Sequence, residues 1–129
     1  MPNDINAIAG WMGILAGLLV GAGFGMFFHR TDWLGGYASW PRRMLRLGHI
    51  SFFGIALLNL AYALTLKHLD WPAPPGFVSI ALALANVLMP AACGLAAWRP
   101  SWRNVFALPV ACVLCGVGGL LWCRLAAGV

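Results

Sequence analysis

Four apolar runs, each long enough to cross a lipid bilayer, leave this chain few folds to adopt. They cover Ile5–Phe28, Met44–Leu66, Phe77–Trp98 and Val105–Leu125. Inside a bilayer every backbone N–H and C=O must be paired within the protein, so a spanning segment is a helix or a strand of a closed barrel. The runs lack the two-residue alternation of barrel strands. The sequence therefore predicts an all-α, polytopic membrane protein, a single domain of four transmembrane helices in an up-down bundle.

The composition leaves almost no material outside the bilayer. Of the 129 residues, 62% are hydrophobic and 9% are charged, whereas a soluble domain carries about 25% charged residues. The three acids, Asp4, Asp32 and Asp70, all lie outside the apolar runs. No nucleophile–base pair, phosphate loop or carboxylate pair can be assembled, so we expect no enzymatic activity. We also expect no nucleic-acid binding, because the basic residues sit in loops between membrane spans.

The basic residues predict an orientation. Six arginines lie in or beside the first and third loops, whereas the second loop balances Lys67 with Asp70. The positive-inside rule then places the first and third loops in the cytoplasm and both termini on the non-cytoplasmic side. The N-terminus lacks the positive region of a signal peptide, so we expect no cleaved signal. A bacterial inner membrane fits this layout. The six arginines are Arg30, Arg42, Arg43, Arg46, Arg99 and Arg103.

Small residues recur along the first and last helices. Gly13, Gly17, Gly21 and Gly25 follow one another at four-residue spacing, a glycine zipper that lets another helix approach closely. The alternative is a groove for a flat cofactor, since glycine also lets a ligand approach the backbone. A second set, Cys112, Cys115 and Gly119, predicts another packing seam; redox activity or soft-metal binding at the CxxC pair is the alternative.

Two asparagines inside the spans have matching depths. Asn59 lies eight residues before Lys67, and Asn86 lies ten residues after Gly76. Because a short connection joins these helices, we expect the two amides to meet, directly or nearly so. Such a hydrogen bond would hold helices together, with a contribution of about 0.6–2 kcal/mol. A quinone headgroup held between the amides is the alternative.

His49 is the one histidine that lies within an apolar run, and ionisable residues at that depth suggest a functional site. Haem b is the cofactor that an isolated histidine in a helical membrane bundle suits best. His29 would then be the second iron ligand, and Phe53 would lie against the haem. Arg42, Arg43 and Arg46 would pair with its propionates. The alternative is that no cofactor is present and His49 hydrogen-bonds an acceptor on a neighbouring helix.

These features support three functional hypotheses. The first is a small accessory subunit of a membrane-embedded electron-transfer complex of respiratory or photosynthetic type, with haem b on His49. The second is a purely structural subunit that packs against a larger membrane protein through its glycine and cysteine seams. The third is a small transporter or channel, which is disfavoured because no Asp or Glu lies within a span.

Overall fold

The computed structural model describes residues 2–69 and 71–128, which form four long α-helices packed as a bundle. Two 3₁₀ helices, Trp33–Gly35 and Pro100–Phe106, precede α2 and α4. Four helical segments are long and apolar enough to cross a membrane, which confirms the all-α, four-span prediction. Asp70, which we expected to balance Lys67, lies outside the described residues. The four helices are α1 (Pro2–Phe28), α2 (Trp40–His68), α3 (Gly76–Trp98) and α4 (Ala107–Ala126).

Consecutive helices run antiparallel. His49, near the start of α2, faces Gly21, near the end of α1. Val78, early in α3, likewise packs on Gly119, which lies past the middle of α4. Helix α1 packs on both α2 and α3, whereas α4 packs chiefly on α3. Helix α3 is therefore central to the bundle, and α4 is its outermost helix.

Helix α2 begins at Trp40, four residues before the apolar run on which we based its predicted start. Pro41 lies in the first turn of α2. A proline is compatible with that position, because the first amides of a helix have no intrahelical partner. Ser39 caps the helix by accepting a hydrogen bond from the amide of Arg42 at 3.4 Å.

Pro90 and Pro109 have different positions in their helices. Pro90 lies inside α3. Pro109 lies in the first turn of α4, directly after the 3₁₀ helix Pro100–Phe106. Because a proline ring clashes with the carbonyl four residues earlier, the preceding segment is kept out of the α-helical form. Pro109 thus marks the change from 3₁₀ to α-helix rather than a bend within α4.

A buried polar cluster fastens α1, α2 and α3 together. The Asn6 amide donates to Asn59 Oδ1 at 2.8 Å and to the Ser79 carbonyl at 3.1 Å. The Ser79 hydroxyl donates to Asn6 Oδ1. The Asn59 amide donates to the carbonyls of Ile55 and Leu82 at 2.9 and 3.1 Å. These bonds fix the rotation and depth of the three helices, because buried polar groups without partners are costly.

Candidate functional site

His49 joins α2 to α1 through a hydrogen bond to the backbone. Its Nε2 atom lies 3.1 Å from the carbonyl oxygen of Gly17. Because a carbonyl only accepts hydrogen bonds, Nε2 carries the hydrogen, and in the neutral ring Nδ1 is then the acceptor. The structure thus has the hydrogen-bonded arrangement that we gave as the alternative to haem ligation.

The glycines of α1 make room for this ring. A Cβ atom at Gly21 would lie 2.5 Å from His49 Nε2, so no other residue fits there without movement. Phe53 packs edge-on against the imidazole, with the ring centroids 5.3 Å apart, and Phe24 does so at 6.3 Å. Glycine on one side and phenylalanines on the others hold the ring in one orientation.

A cleft of about 180 Å³ lies beside the His49 ring, between the end of α1 and the start of α2. Its polar groups are His49 and Arg46. Arg46 is half-buried, donates to the Tyr37 carbonyl at 3.2 Å and stacks over the Tyr37 ring at 4.3 Å. An arginine has five N–H donors, so others remain for a ligand. The residues lining the cleft are Gly21, Phe24, Gly25, Phe28, Arg46 and His49.

Arg42 closes the end of α1 instead of lining the cleft. It is 3% exposed and donates to the carbonyls of Phe28 and Arg30 at 2.8 and 3.2 Å. These carbonyls lie at the C-terminal end of the helix, where the helix dipole also favours a positive charge. The guanidinium packs over the rings of Phe28 and Trp33. Of the three arginines expected to face a haem, Arg46 lines the cleft, Arg42 is engaged elsewhere and Arg43 is exposed.

His29 does not converge on His49. It is exposed just beyond the end of α1, eight residues after Gly21, whose backbone faces the His49 ring. Eight helical residues correspond to about 12 Å along the axis. Two axial ligands of one haem must reach the same iron atom, so the described residues do not fit a haem held between these histidines.

A haem on His49 alone is also a poor match to the cleft. The Gly17 carbonyl engages Nε2. At about 180 Å³, the cleft is far smaller than the macrocycle of a haem, which joins several pyrrole rings in one plane. Haem b stays a prediction of the sequence, which the visible spectrum of the purified protein tests.

The four glycines of the zipper have different surroundings. Gly13 faces the Asn86 amide and Ala56, and Gly17 faces Phe53 and Phe52. Gly21 faces His49, whereas a Cβ at Gly25 would meet no atom within 4 Å. The first three glycines thus pack within this bundle. Gly25 instead keeps the cleft open.

Asn59 and Asn86 have different partners. Asn59 bonds to Asn6, Ile55 and Leu82, as described above, whereas Asn86 donates to the Ala9 carbonyl at 2.7 Å. The Asn86 side chain is 5% exposed and fills the space over Gly13. Both amides fasten helices, each to partners of its own, and a quinone head held between Asn59 and Asn86 stays a prediction of the sequence.

The second seam packs α4 onto α3. Gly119 faces Val78, and Cys115 lies against the small core formed by Tyr62, Val78 and Leu82. Cys112 and Cys115 are both free thiols and half-buried. Within residues 2–69 and 71–128, no three His, Cys, Asp or Glu side chains are grouped as metal ligands.

Sequence reasoning missed Asn6 and Ser79, although a signal was present. Asn6 lies near the start of α1 and Ser79 near the start of α3. In an up-down bundle these two ends lie at the same side, so the two polar side chains had matching depths. The same depth comparison had singled out Asn59 and Asn86.

No family model, curated protein or solved structure matches this chain. Its function is therefore argued from its own site, because function resides in particular side chains rather than in a fold.

Proposed function

We propose that the protein is a small accessory subunit of a membrane-embedded electron-transfer assembly, and that its cleft beside His49 holds a membrane-soluble ligand. The observation that carries this proposal is that His49 and Arg46 border one cleft within the bundle. Polar and ionisable groups at membrane depth are costly and mark ligand, ion or proton pathways. Histidine is also the side chain best suited to exchange protons near neutral pH.

The proposal includes an orientation. The cleft lies at the end of the bundle where α1 ends and α2 begins, beside the first arginine-rich loop. The excess of arginine over acid in that loop favours the cytoplasmic side of a bacterial inner membrane. The ligand would then enter from the cytoplasmic leaflet.

The outermost helix supports assembly with a larger protein. Of its residues, Pro109 and Gly116 are buried, whereas Leu114 and Trp122 are 66% and 73% exposed. A Cβ at Gly118, on the same exposed face, would meet no atom within 4 Å. A glycine that its own bundle does not require permits close approach of another helix. This face favours the second candidate function, a purely structural subunit without a ligand.

Native gel electrophoresis of solubilised membranes tests the proposal. In mild detergent we expect the chain to migrate with a larger complex that has the visible absorbance of a redox cofactor. Migration alone, or with a complex that lacks such absorbance, would contradict an electron-transfer role.

Gly118→Leu tests the assembly that both candidate functions share, and Arg46→Gln separates the two functions. Gly118→Leu should release the chain from the complex in both cases, whereas Gly54→Leu, at an exposed glycine of α2 with equally open surroundings, should not. Arg46→Gln should lower electron transfer through the intact complex if the cleft takes part. If electron transfer is unchanged in Arg46→Gln, the second candidate function, a structural subunit without a ligand, is favoured.

A further inference from the structure

We infer that the cleft beside His49 binds the ring of a quinol, with one hydroxyl donating to His49 Nδ1 and the opposite oxygen accepting from Arg46. This inference rests on the proposed function and names the ligand class of the same site. It concerns binding alone and is based on the hydrogen-bonding groups that border the cleft.

One nitrogen of the His49 ring donates a hydrogen bond and the other can only accept one. Its Nε2–H donates to the Gly17 carbonyl at 3.1 Å, so the other ring nitrogen accepts. A ligand that uses this nitrogen must bring a donor hydrogen. A quinol hydroxyl supplies one, whereas the carbonyl of the oxidised quinone and the ester carbonyls of a phospholipid both accept.

Arg46 supplies only hydrogen-bond donors to the cleft. One N–H is used by the Tyr37 carbonyl at 3.2 Å, and stacking on the Tyr37 ring fixes the plane of the guanidinium. The oxygen that faces Arg46 must therefore accept. A quinol carries oxygens on opposite edges of its ring, and each can accept or donate, which suits a cleft with one acceptor and one donor.

The shape of the cleft suits a flat ring. The side chains of Phe24 and Phe28 provide aromatic walls, and Gly21 and Gly25 leave a floor without side chains. Flat aromatic groups pack favourably against phenylalanine rings. Because Gly25 is exposed, the cleft opens to the surface of the bundle, where an isoprenoid tail can continue into the lipid.

The position of the cleft suits an amphiphile. Gly25 and Gly21 lie three and seven residues before the last residue of α1, which corresponds to about 5 and 10 Å along the helix. A ring bound there lies just below the membrane surface. The arginine-bearing end faces the headgroup region, and the tail remains in hydrocarbon.

Equilibrium binding to the purified chain in detergent tests the inference, with a decyl-substituted dimethoxybenzoquinol as the probe. We expect the quinol to bind and its oxidised quinone to bind about tenfold more weakly, since one hydrogen bond is lost. Equal affinity for the two redox forms, or no binding of the quinol, would overturn the inference.

Two variants locate the probe. Gly25→Leu should fill the cleft and weaken quinol binding at least about tenfold, because Gly25 lines the cleft and a Cβ there would have no atom of the bundle within 4 Å. Gly54→Leu is the matched control, also exposed and also in open surroundings. Arg46→Gln should also weaken quinol binding, and it tests the location independently if Gly25→Leu fails to fold. Binding that survives both Gly25→Leu and Arg46→Gln would contradict this location.

Competition with an anionic phospholipid separates the two ligand classes. Phosphatidylmethanol, an anionic phospholipid whose headgroup has no hydroxyl, should at equal concentration leave quinol binding within about twofold of its value without lipid, because it has no hydrogen to donate to His49. Displacement of the quinol by this lipid would make the cleft a headgroup site instead. Migration of the chain with a redox complex, together with no quinol binding, would reject this inference while leaving the proposed function standing.

Discussion

The amide of Asn6 donates to the side-chain oxygen of Asn59 across 53 residues of sequence, at 2.8 Å and with both side chains fully buried. This bond joins the first helix to the second, and the Ser79 hydroxyl extends it to the third. The cluster sets the rotation of α1 against α2, and that rotation brings Gly17 and Gly21 against His49.

Loss of Asn59 should cost more stability than loss of Asn86. The Asn59 side chain hydrogen-bonds to three groups, one on each of α1, α2 and α3, whereas Asn86 donates one hydrogen bond, to the Ala9 carbonyl. Asn59→Ala leaves Asn6 and two carbonyls with fewer partners, so we expect a loss of about 1–3 kcal/mol in the free energy of unfolding. Asn86→Ala should lose less, and Asn104→Ala, at an exposed position before α4, should change nothing measurable. Unfolding in mixed micelles gives the three values; equal losses at positions 59 and 86 would contradict this ranking.

Glycines of the same repeat should respond differently to alanine. A Cβ at Gly13 would overlap the Asn86 amide nitrogen, so Gly13→Ala should lower the free energy of unfolding by about 1–3 kcal/mol. Gly25→Ala meets no neighbour and should leave stability unchanged or raise it by up to about 1 kcal/mol through helix propensity. Comparable effects at positions 13 and 25 would mean that the contacts of α1 with α2 and α3 differ from those described here.

Arg42 should resist replacement even by lysine. Its guanidinium reaches two carbonyls at the end of α1, and a lysine ammonium lacks the planar fork that does so. We expect Arg42→Lys to lower the free energy of unfolding by about 1–3 kcal/mol. Hydrogen exchange should rise in residues 29–39. Arg43→Lys, at an exposed position, is the control, and identical exchange in the two variants would count against the capping role of Arg42.

The number and type of the helices could be predicted from the sequence, because hydropathy over about 20 residues is enough to identify a span. The rotation of each helix about its own axis could not be predicted in this way. Asn59 and Asn86 lie at matching depths, yet Asn86 faces the Ala9 carbonyl on α1 while Asn59 bonds to Asn6. Depth follows from counting residues along a helix, whereas the face that a residue presents depends on all neighbouring helices at once.

The candidate site was predictable in part for the same reason. His49 stood out because titratable groups are rare inside apolar runs, and Arg46 lies one turn before it. The role of Arg42 was not predictable, because it depends on the loop that brings Arg42 back to the end of α1. In that loop Leu34 has a positive φ of 54° and is followed by Gly35 and Gly36 at 84° and 94°. The conformation of this loop depends on local backbone geometry, which a hydropathy profile does not predict.

The hydrogen on His49 Nε2 is the central claim, because the quinol argument depends on it and haem ligation through that nitrogen requires its absence. Solid-state ¹⁵N NMR of the histidine-labelled protein in bilayers measures it directly, with His49→Gln to assign the signal. We predict that Nε2 is protonated and Nδ1 is not, and that adding the quinol shifts the Nδ1 resonance while Nε2 keeps its hydrogen. A spectrum in which Nε2 lacks hydrogen would contradict the bond to Gly17 and the ligand assignment built on it.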